Sequence, residues 1–402
     1  MKTITSGYLS VSGIAALFFA STALAQVEDG KPITATVEGH VFKPARVPAT
    51  EERIKQLKVP EGFEITKFAE GLNKPRMIAV TASGLVYVTD RDQGTVTLLR
   101  DENKDGVSES SQEVAQKKQL HGIALRNDQV YLATVNEVFV ADIRDDGSFG
   151  ELKRIIKDLP DGGQHGNRTL EFGPDGMLYI SIGSTCNACT ETNDENATIL
   201  KAKPDGSSRT IFAKGLRNTL GFAWHPETGQ VWGMDHGIDW LGDEEQREEL
   251  NLLEEGADYG WPYIYGEGKE NPADQPPASS YDEYKKKTKY PVLTYTAHSS
   301  GLDMIFYDGK QFPEAYNGDA FVAFHGSWNR QTPVGYKVAR IRYENGQPKA
   351  FEDFVTGFLL EDEKSQFGRV VGLATYTDGS LLITDDSNGV VYRVAYVGDT
   401  DG

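Results

Sequence analysis

The feature that most restricts the fold is a phrase of turn followed by short strand, which recurs six times along the chain. The copies read Ser83-Gly84-Leu85-Val86-Tyr87-Val88, Asp128-Gln129-Val130-Tyr131-Leu132-Ala133, Asp175-Gly176-Met177-Leu178-Tyr179-Ile180, Thr228-Gly229-Gln230-Val231-Trp232-Gly233, Asn317-Gly318-Asp319-Ala320-Phe321-Val322 and Asp378-Gly379-Ser380-Leu381-Leu382-Ile383. Five of the six carry glycine in the turn, and most follow an apolar run such as Met77-Ile78-Ala79-Val80. Aliphatic and aromatic residues flanking such turns are a hairpin signature. Another short strand follows most copies, as in Thr95-Val96-Thr97-Leu98-Leu99. Three or four strands repeated every ~45–60 residues describe a propeller blade, because radial packing buries the faces that one sheet alone leaves wet. The predicted fold is therefore all-β, a six-bladed β-propeller over residues 58–396, followed by a tail at 397–402. The segment 26–57 reads as an extension leading into Phe63-Glu64-Ile65-Thr66-Lys67-Phe68, a strand expected to complete the last blade. Residues 266–292, rich in Pro, Lys, Glu and Tyr, read as an inserted loop near the ligand face, since unusually long loops are often functional.

Residues 1–25 begin Met1-Lys2, continue through an apolar stretch around Gly13–Ala20 and end Ala23-Leu24-Ala25. That is the pattern of a secretory signal peptide cleaved near Ala25. It is too short and wrongly flanked to span a bilayer, and no other stretch approaches the ~18 apolar residues a spanning helix needs. The expected location is periplasmic or secreted, without stable membrane insertion. A net charge of −19 opposes a nucleic-acid partner, which requires a dense basic surface. Cys186 and Cys189 are expected to form a local disulfide in an oxidising compartment. A redox pair of the thioredoxin type would open a helix, and a structural zinc would need two further ligands.

When the six copies are superimposed, polar residues gather on one rim. The starts of the strands preceding the turns bring Arg76, His121, His165 with Arg168, Arg217 with Asn218, His298 with Ser300, and Arg369. The ends of the strands following them bring Asp90-Arg91, Asp235-His236-Gly237-Ile238-Asp239, His325-Gly326-Ser327-Trp328-Asn329-Arg330 and Asp385-Asp386. Five of the seven histidines map to this face, and the converging arginines suit a small polyanion. The competing reading pairs each Arg or His with a neighbouring carboxylate as ordinary rim chemistry. Trp328, Trp240 and Tyr259 add aromatic surface on the same loops, whereas Trp261 and Trp232 suit a core equally well. The Asp235–Asp239 loop, followed by Asp243-Glu244-Glu245, is oxygen-rich as a hard cation prefers, with calcium favoured. Asp101-Glu102-Asn103-Lys104-Asp105-Gly106 imitates half a calcium loop but lacks the twelfth-position Glu, and reads as a turn.

Several ordered motifs across roughly 58–396 resemble the soluble pyrroloquinoline-quinone (PQQ)-dependent glucose/sorbosone dehydrogenases, which include pyranose dehydrogenases. They are Gly163-Gln164-His165-Gly166-Asn167-Arg168, Gly215-Leu216-Arg217-Asn218, Glu249-Leu250-Asn251 with Asp258-Tyr259-Gly260-Trp261-Pro262, and Ser327-Trp328-Asn329-Arg330 leading to Gly335-Tyr336-Lys337-Val338. The resemblance implies that PQQ and Ca2+ are cofactors and that a sugar is oxidised by hydride transfer to the quinone, with a separate electron acceptor. It makes His165 the general base and Arg217, with Asn218, the stabiliser of the developing oxyanion. It gives the cofactor to His121, Arg168, Arg217, Asn218, Trp328, Asn329, Arg330 and Arg369, and the metal to Gly237, Ile238 and Asp239. The chain differs from the glucose-oxidising branch in having Ser-Trp-Asn-Arg in place of a basic pair, Phe367 in place of a second arginine, and Gly237-Ile238 in place of Gly-Pro.

Two other functions compete. A calcium-dependent lactonase or esterase on a six-bladed propeller predicts a metal held by side chains deep on the axis, and a neutral lactone has no need of several cations. A non-catalytic carbohydrate- or protein-binding propeller would keep the aromatic loops, with little reason to face His165 and Arg217 into one pocket.

Overall fold

A computed structural model describes residues 24–26, 32–34 and 37–398. The expected signal peptide, residues 1–25, lies outside the described residues except at Leu24 and Ala25, which together with Gln26 pair antiparallel with Pro32–Thr34. No helix among the described residues is long and apolar enough to cross a membrane.

Six four-stranded antiparallel sheets among these residues form the predicted propeller. Blade one contains Pro75–Val80, Val86–Asp90, Thr95–Arg100 and Ser110–Gln116. Blade two begins at Gly122–Arg126 and blade three at Leu170–Phe172. Blade four begins at Phe222–Trp224, blade five at Gly301–Phe306 and blade six at Val370–Thr375. The repeated phrase is the turn between first and second strands plus the second strand itself. That strand is flanked by the neighbouring blades on both faces, so Leu178–Ile182, Val231–Asp235, Ala320–Phe324 and Leu381–Asp385 are buried throughout. Outermost strands such as Ser110–Gln116 are mostly exposed, which is why they carry so weak a pattern.

The ring closes as expected. Phe63–Ala69 forms the fourth strand of blade six, with Ile65 opposite Val394 and Phe63 opposite Tyr396. The Phe63 ring meets Phe312, Tyr316 and Phe354 edge-on at 4.7–5.2 Å, contacts worth roughly 0.5–1.5 kcal/mol each beyond the area buried. At the same seam Gly389 has φ +70°, and a Cβ there would lie 1.8 Å from the Leu72 carbonyl oxygen, so no larger residue fits.

Two segments stand outside the blades. Residues 37–58 pass over the loops at one end of the ring: Glu38 N–H donates to Trp240 O (3.2 Å), Phe42 N–H to Trp328 O (3.0 Å), and Ala45–Arg46 runs parallel to Ser365–Gln366. The segment expected to be an inserted loop joins the third and fourth strands of blade four. Its Lys269–Glu270 pairs with Ile264–Tyr265 just ahead of it as a small hairpin, and it contains a helix, Tyr281–Lys285, whose Ser280 and Glu283 form a capping box. Just before it, the chain climbs the outer edge of blade three, where Tyr259 N–H donates to Lys214 O and Trp261 N–H to Gly215 O. Trp261 then packs behind Ile238 with Ala197 and Leu241. Trp261, ahead of the insertion, thus backs the wall of the site, and none of residues 266–292 lines the cavity described below, contrary to the expectation of a loop near the ligand.

Candidate active site

First strands begin, and second strands end, at one end of the ring, so short loops from different blades converge there. Between blades three, four and five they enclose a cavity of about 340 Å³ lined by His165, Arg217, Asn218, His236, Gly237, Asp239, Trp240, Glu248, His298, Trp328 and Asn329, among others, over a floor of Leu220 and Leu302.

His165 precedes the first strand of blade three. Its Nδ1 lies 2.9 Å from Ser184 O and 2.8 Å from Ser184 Oγ, and that hydroxyl in turn donates to Cys186 O. A carbonyl can only accept, so Nδ1 carries the proton and Nε2 is the basic nitrogen. Nε2 has no hydrogen-bond partner among the described residues. Burial, and then the Arg217 guanidinium, hold the imidazole down at about 3, so the ring is neutral at ordinary pH. The loop depends on Gly163 (φ +48°), where a Cβ would stand 2.2 Å from Thr185 O.

Arg217 and Asn218 lead into blade four. Their backbone N–H groups donate to the two oxygens of Asp235 at 2.9 and 2.8 Å, and Thr219 Oγ1 adds a third bond at 2.8 Å. The Arg217 side chain is buried, with Nη2 2.6 Å from Asp239 Oδ2, and its Nη1 has no acceptor among the described residues. Asn218 Nδ2 faces His236 Nδ1 at 3.2 Å, because His236 Nε2 is spent on Gly301 O (2.7 Å), and Asn218 Oδ1 is left buried without a donor. Burial holds the His236 ring at about 4 and pushes Glu248 up to about 8, so one is an uncharged imidazole and the other a protonated acid at neutral pH. Trp240 and Trp328 meet edge-on at 5.6 Å and 85°, forming an aromatic wall. Asn329 Nδ2 ties Asp239 Oδ1 (3.1 Å) to His298 Nδ1 (3.1 Å).

Not every expected site residue reaches this cavity. Arg168 is fully buried and spends its guanidinium on main-chain carbonyls, Val135 O at 3.1 Å, His165 O at 2.9 Å and Pro160 O at 2.9 Å. It shapes the His165 loop, and its side chain does not line the cavity. His121 is buried with Nδ1 on Arg168 O (3.0 Å) and Nε2 toward Arg76 Nη2 (3.5 Å). Arg330 turns away to Asp243 O and Glu244 Oε1, leaving a buried Nε unpaired. Arg369 donates to His325 O (3.2 Å) and Gly326 O (2.7 Å). The four residues His165, Arg217, Arg330 and Arg369 therefore share one end of the ring, but only the first two face the cavity. Tyr259 is in the core, its hydroxyl bonded to Leu252 O, and not on the rim, and Phe367 packs against Phe358.

Of the metal-directed residues, Gly237 lines the cavity and Ile238 lies behind it, and neither carbonyl accepts a hydrogen bond among the described residues. A Cβ at Gly237 would stand 2.2 Å from Gln246 O. Both Asp239 oxygens already have donors, Arg217 and Asn329. The Cys186–Cys189 disulfide is formed, with Cα atoms 6.2 Å apart. Asp101, Asp105 and Glu109 come together, but Asp101 and Asp105 are spent on the loop's own N–H groups, as in an ordinary turn.

Sequence reasoning missed two features. Asp235 and Asp385 are structural staples, with Arg369 N–H on Asp385 Oδ1 at 2.8 Å, and Asp90 does the same for Lys74 N–H at 2.9 Å. A carboxylate closing strand two, three times over, was a readable signal. A second polar arc crosses blades five, six and one, where Asp386 bridges His325 Nε2 (2.9 Å) and Arg76 Nη1 (2.6 Å). Arg76 and Arg91 there each keep a buried Nε without an acceptor.

Fold and site together define a six-bladed propeller with a neutral histidine and a buried arginine facing one axial cavity. Residues 57–397 match the TrAA12-like family, and the chain belongs to it. It is 30% identical over 366 residues to an uncharacterized protein of Borreliella burgdorferi, covering 87% of this chain and 93% of that one. It is 24% identical over 391 residues to a pyrroloquinoline quinone-dependent sugar dehydrogenase of Hypocrea jecorina, covering 83% and 87%. The calcium structure of the Trichoderma reesei carbohydrate-active enzyme of family AA12 superimposes with a TM-score of 0.74 at 21% identity, over 85% of this chain and 97% of that one, which speaks for the fold.

Proposed function

We propose that the protein is an exported, PQQ-dependent dehydrogenase that oxidises a sugar. The observation that carries this is His165, whose Nδ1 is locked on Ser184 while its Nε2 stays unpaired in a cavity shared with Arg217. Family membership and the named relative support the class of reaction.

When bound, the quinone supplies a hydride acceptor that a calcium ion polarises. The residues present fit such a group, a flat ring bearing carboxylates. The unpaired carbonyls of Gly237 and Ile238 suit a hard cation. At the cavity Asn218 Oδ1 is a buried polar atom without a donor, and Arg217 Nη1, an N–H of a cation with no acceptor among the described residues, suits negative charge on the ligand. Trp328 and Asn329 would border the ring.

His165 Nε2 takes the proton of the sugar hydroxyl, a task that a neutral imidazole performs and an imidazolium does not. Arg217 Nη1 offers a fixed N–H to negative charge developing on an oxygen beside it. Trp240 and Trp328 cover the apolar face of the sugar.

The test is to add quinone and calcium to purified apoprotein and record the absorption spectrum and dye reduction with a panel of aldoses. His165→Ala is expected to bind quinone and fail to reduce dye. Absence of quinone binding at every calcium concentration would overturn the reading. Amino-terminal sequencing of the exported protein should begin near Gln26.

A further inference from the structure

We propose that Asn187 positions Arg217 for the reaction, and that the Cys186–Cys189 bond serves to hold Asn187 in place. The inference rests on the role given to Arg217 above.

Asn187 lies between the two cysteines, in the loop that leaves the second strand of blade three. Its two oxygens receive four donors. The main-chain oxygen accepts Arg217 Nε at 2.9 Å and Trp261 Nε1 at 3.2 Å. The side-chain oxygen accepts Arg217 Nη2 at 2.8 Å and Asp239 N–H at 2.8 Å. One residue thus grips the Nε/Nη2 edge of the guanidinium fork at both of its nitrogens, the loop carrying Gly237 to Asp239, and the tryptophan from the segment behind the wall. Two acceptors on a planar fork fix its orientation as well as its place, which a single ion pair to Asp239 does not.

The same ring of residues also reaches the base. Cys186 O accepts Ser184 Oγ at 2.7 Å, and Ser184 holds His165 Nδ1. Base and cation are both referenced to one small cross-linked loop. An uncross-linked loop of this length, half-buried and without a strand of its own, would have to spend chain entropy to keep Asn187 in register. Small displacements of a positioning group are costly to the chemistry.

The experiment compares wild type, Asn187→Asp, Asn187→Leu and the double variant Cys186→Ser/Cys189→Ser. Labelling of Arg217 by phenylglyoxal, followed by mass spectrometry on apoprotein, requires neither quinone nor sugar. Wild type and Asn187→Asp, which keeps the accepting oxygen, should stay protected. Asn187→Leu and the serine pair should label about tenfold faster or more, with kcat of the reconstituted enzyme falling about tenfold and KM changing less than about twofold. Unchanged protection together with unchanged kcat in Asn187→Leu would overturn the proposal; that variant retains the disulfide and decides the matter if the serine pair does not fold. A wild type that binds quinone but oxidises no sugar would sink the functional reading alone, while the labelling still reports on the clamp.

Discussion

Arg217 Nη2 and Asp239 Oδ2 stand 2.6 Å apart on the cavity wall, an ion pair that joins the linker between blades three and four to the loop that follows the second strand of blade four. Arg217 is buried and Asp239 half-buried, so the pair is incompletely shielded from water. Arg217→Met strands a carboxylate beside Asn329 and is expected to cost about 2–3 kcal/mol, below the figure for a fully buried pair. Urea denaturation measures it.

The same substitution acts on His165. Burial and then Arg217 hold that ring at about 3, so removing the cation makes protonation easier and moves the titration to higher pH. Between about 3 and the ~6.5 of an unfolded histidine, the folded state binds fewer protons than the unfolded one, so this group costs stability as pH falls through that window. Imidazole NMR titration should show the upward move in Arg217→Met; an unmoved resonance would contradict it.

Glu248 has the opposite sign. Burial pushes it up to about 8, so from about pH 4 upward the folded state retains a proton that the unfolded chain gives away, and stability falls toward pH 8. Its Oε2 is buried with no donor. Glu248→Gln should therefore gain on wild type as pH rises, by about 1–3 kcal/mol at pH 9. A gap that stays constant between pH 5 and 9 would show that Glu248 does not titrate in this way.

Arg168→Met removes the donor to four main-chain carbonyls, two of them, Val135 O and Pro160 O, in buried contacts, and is expected to cost about 3–4 kcal/mol in denaturation experiments. A residue that gripped the cofactor would instead lower quinone affinity with little loss of stability.

Trp328→Ala opens the aromatic wall shared with Trp240. The expected outcome is a sugar KM raised about tenfold with kcat changed far less, because a stacking surface contributes equally to ground and transition states.

The face bearing the site was legible because strand order in a propeller is periodic: once first-strand starts and second-strand ends are known, His165, Arg217, Asn218, Trp328 and Asn329 must share an end of the ring. What each side chain touches was not legible. Arg168, Arg217, Arg330 and Arg369 are one residue type at related positions, yet Arg168 and Arg369 are drawn onto carbonyls and Arg330 onto the Asp243–Glu244 loop. Asn187 carries no signal at all in Cys-Asn-Ala-Cys, since its partners are 30, 52 and 74 residues away.

The sequence by itself determined six blades, their closure by Phe63–Ala69 and the end at which polar loops converge, because alternation and turn chemistry are local properties that repeat. Only the tertiary structure decided which polar atoms are spent on the backbone and which remain for a ligand. Hydrogen-bond satisfaction in a buried site depends on distances between loops from different blades, and no periodicity encodes those.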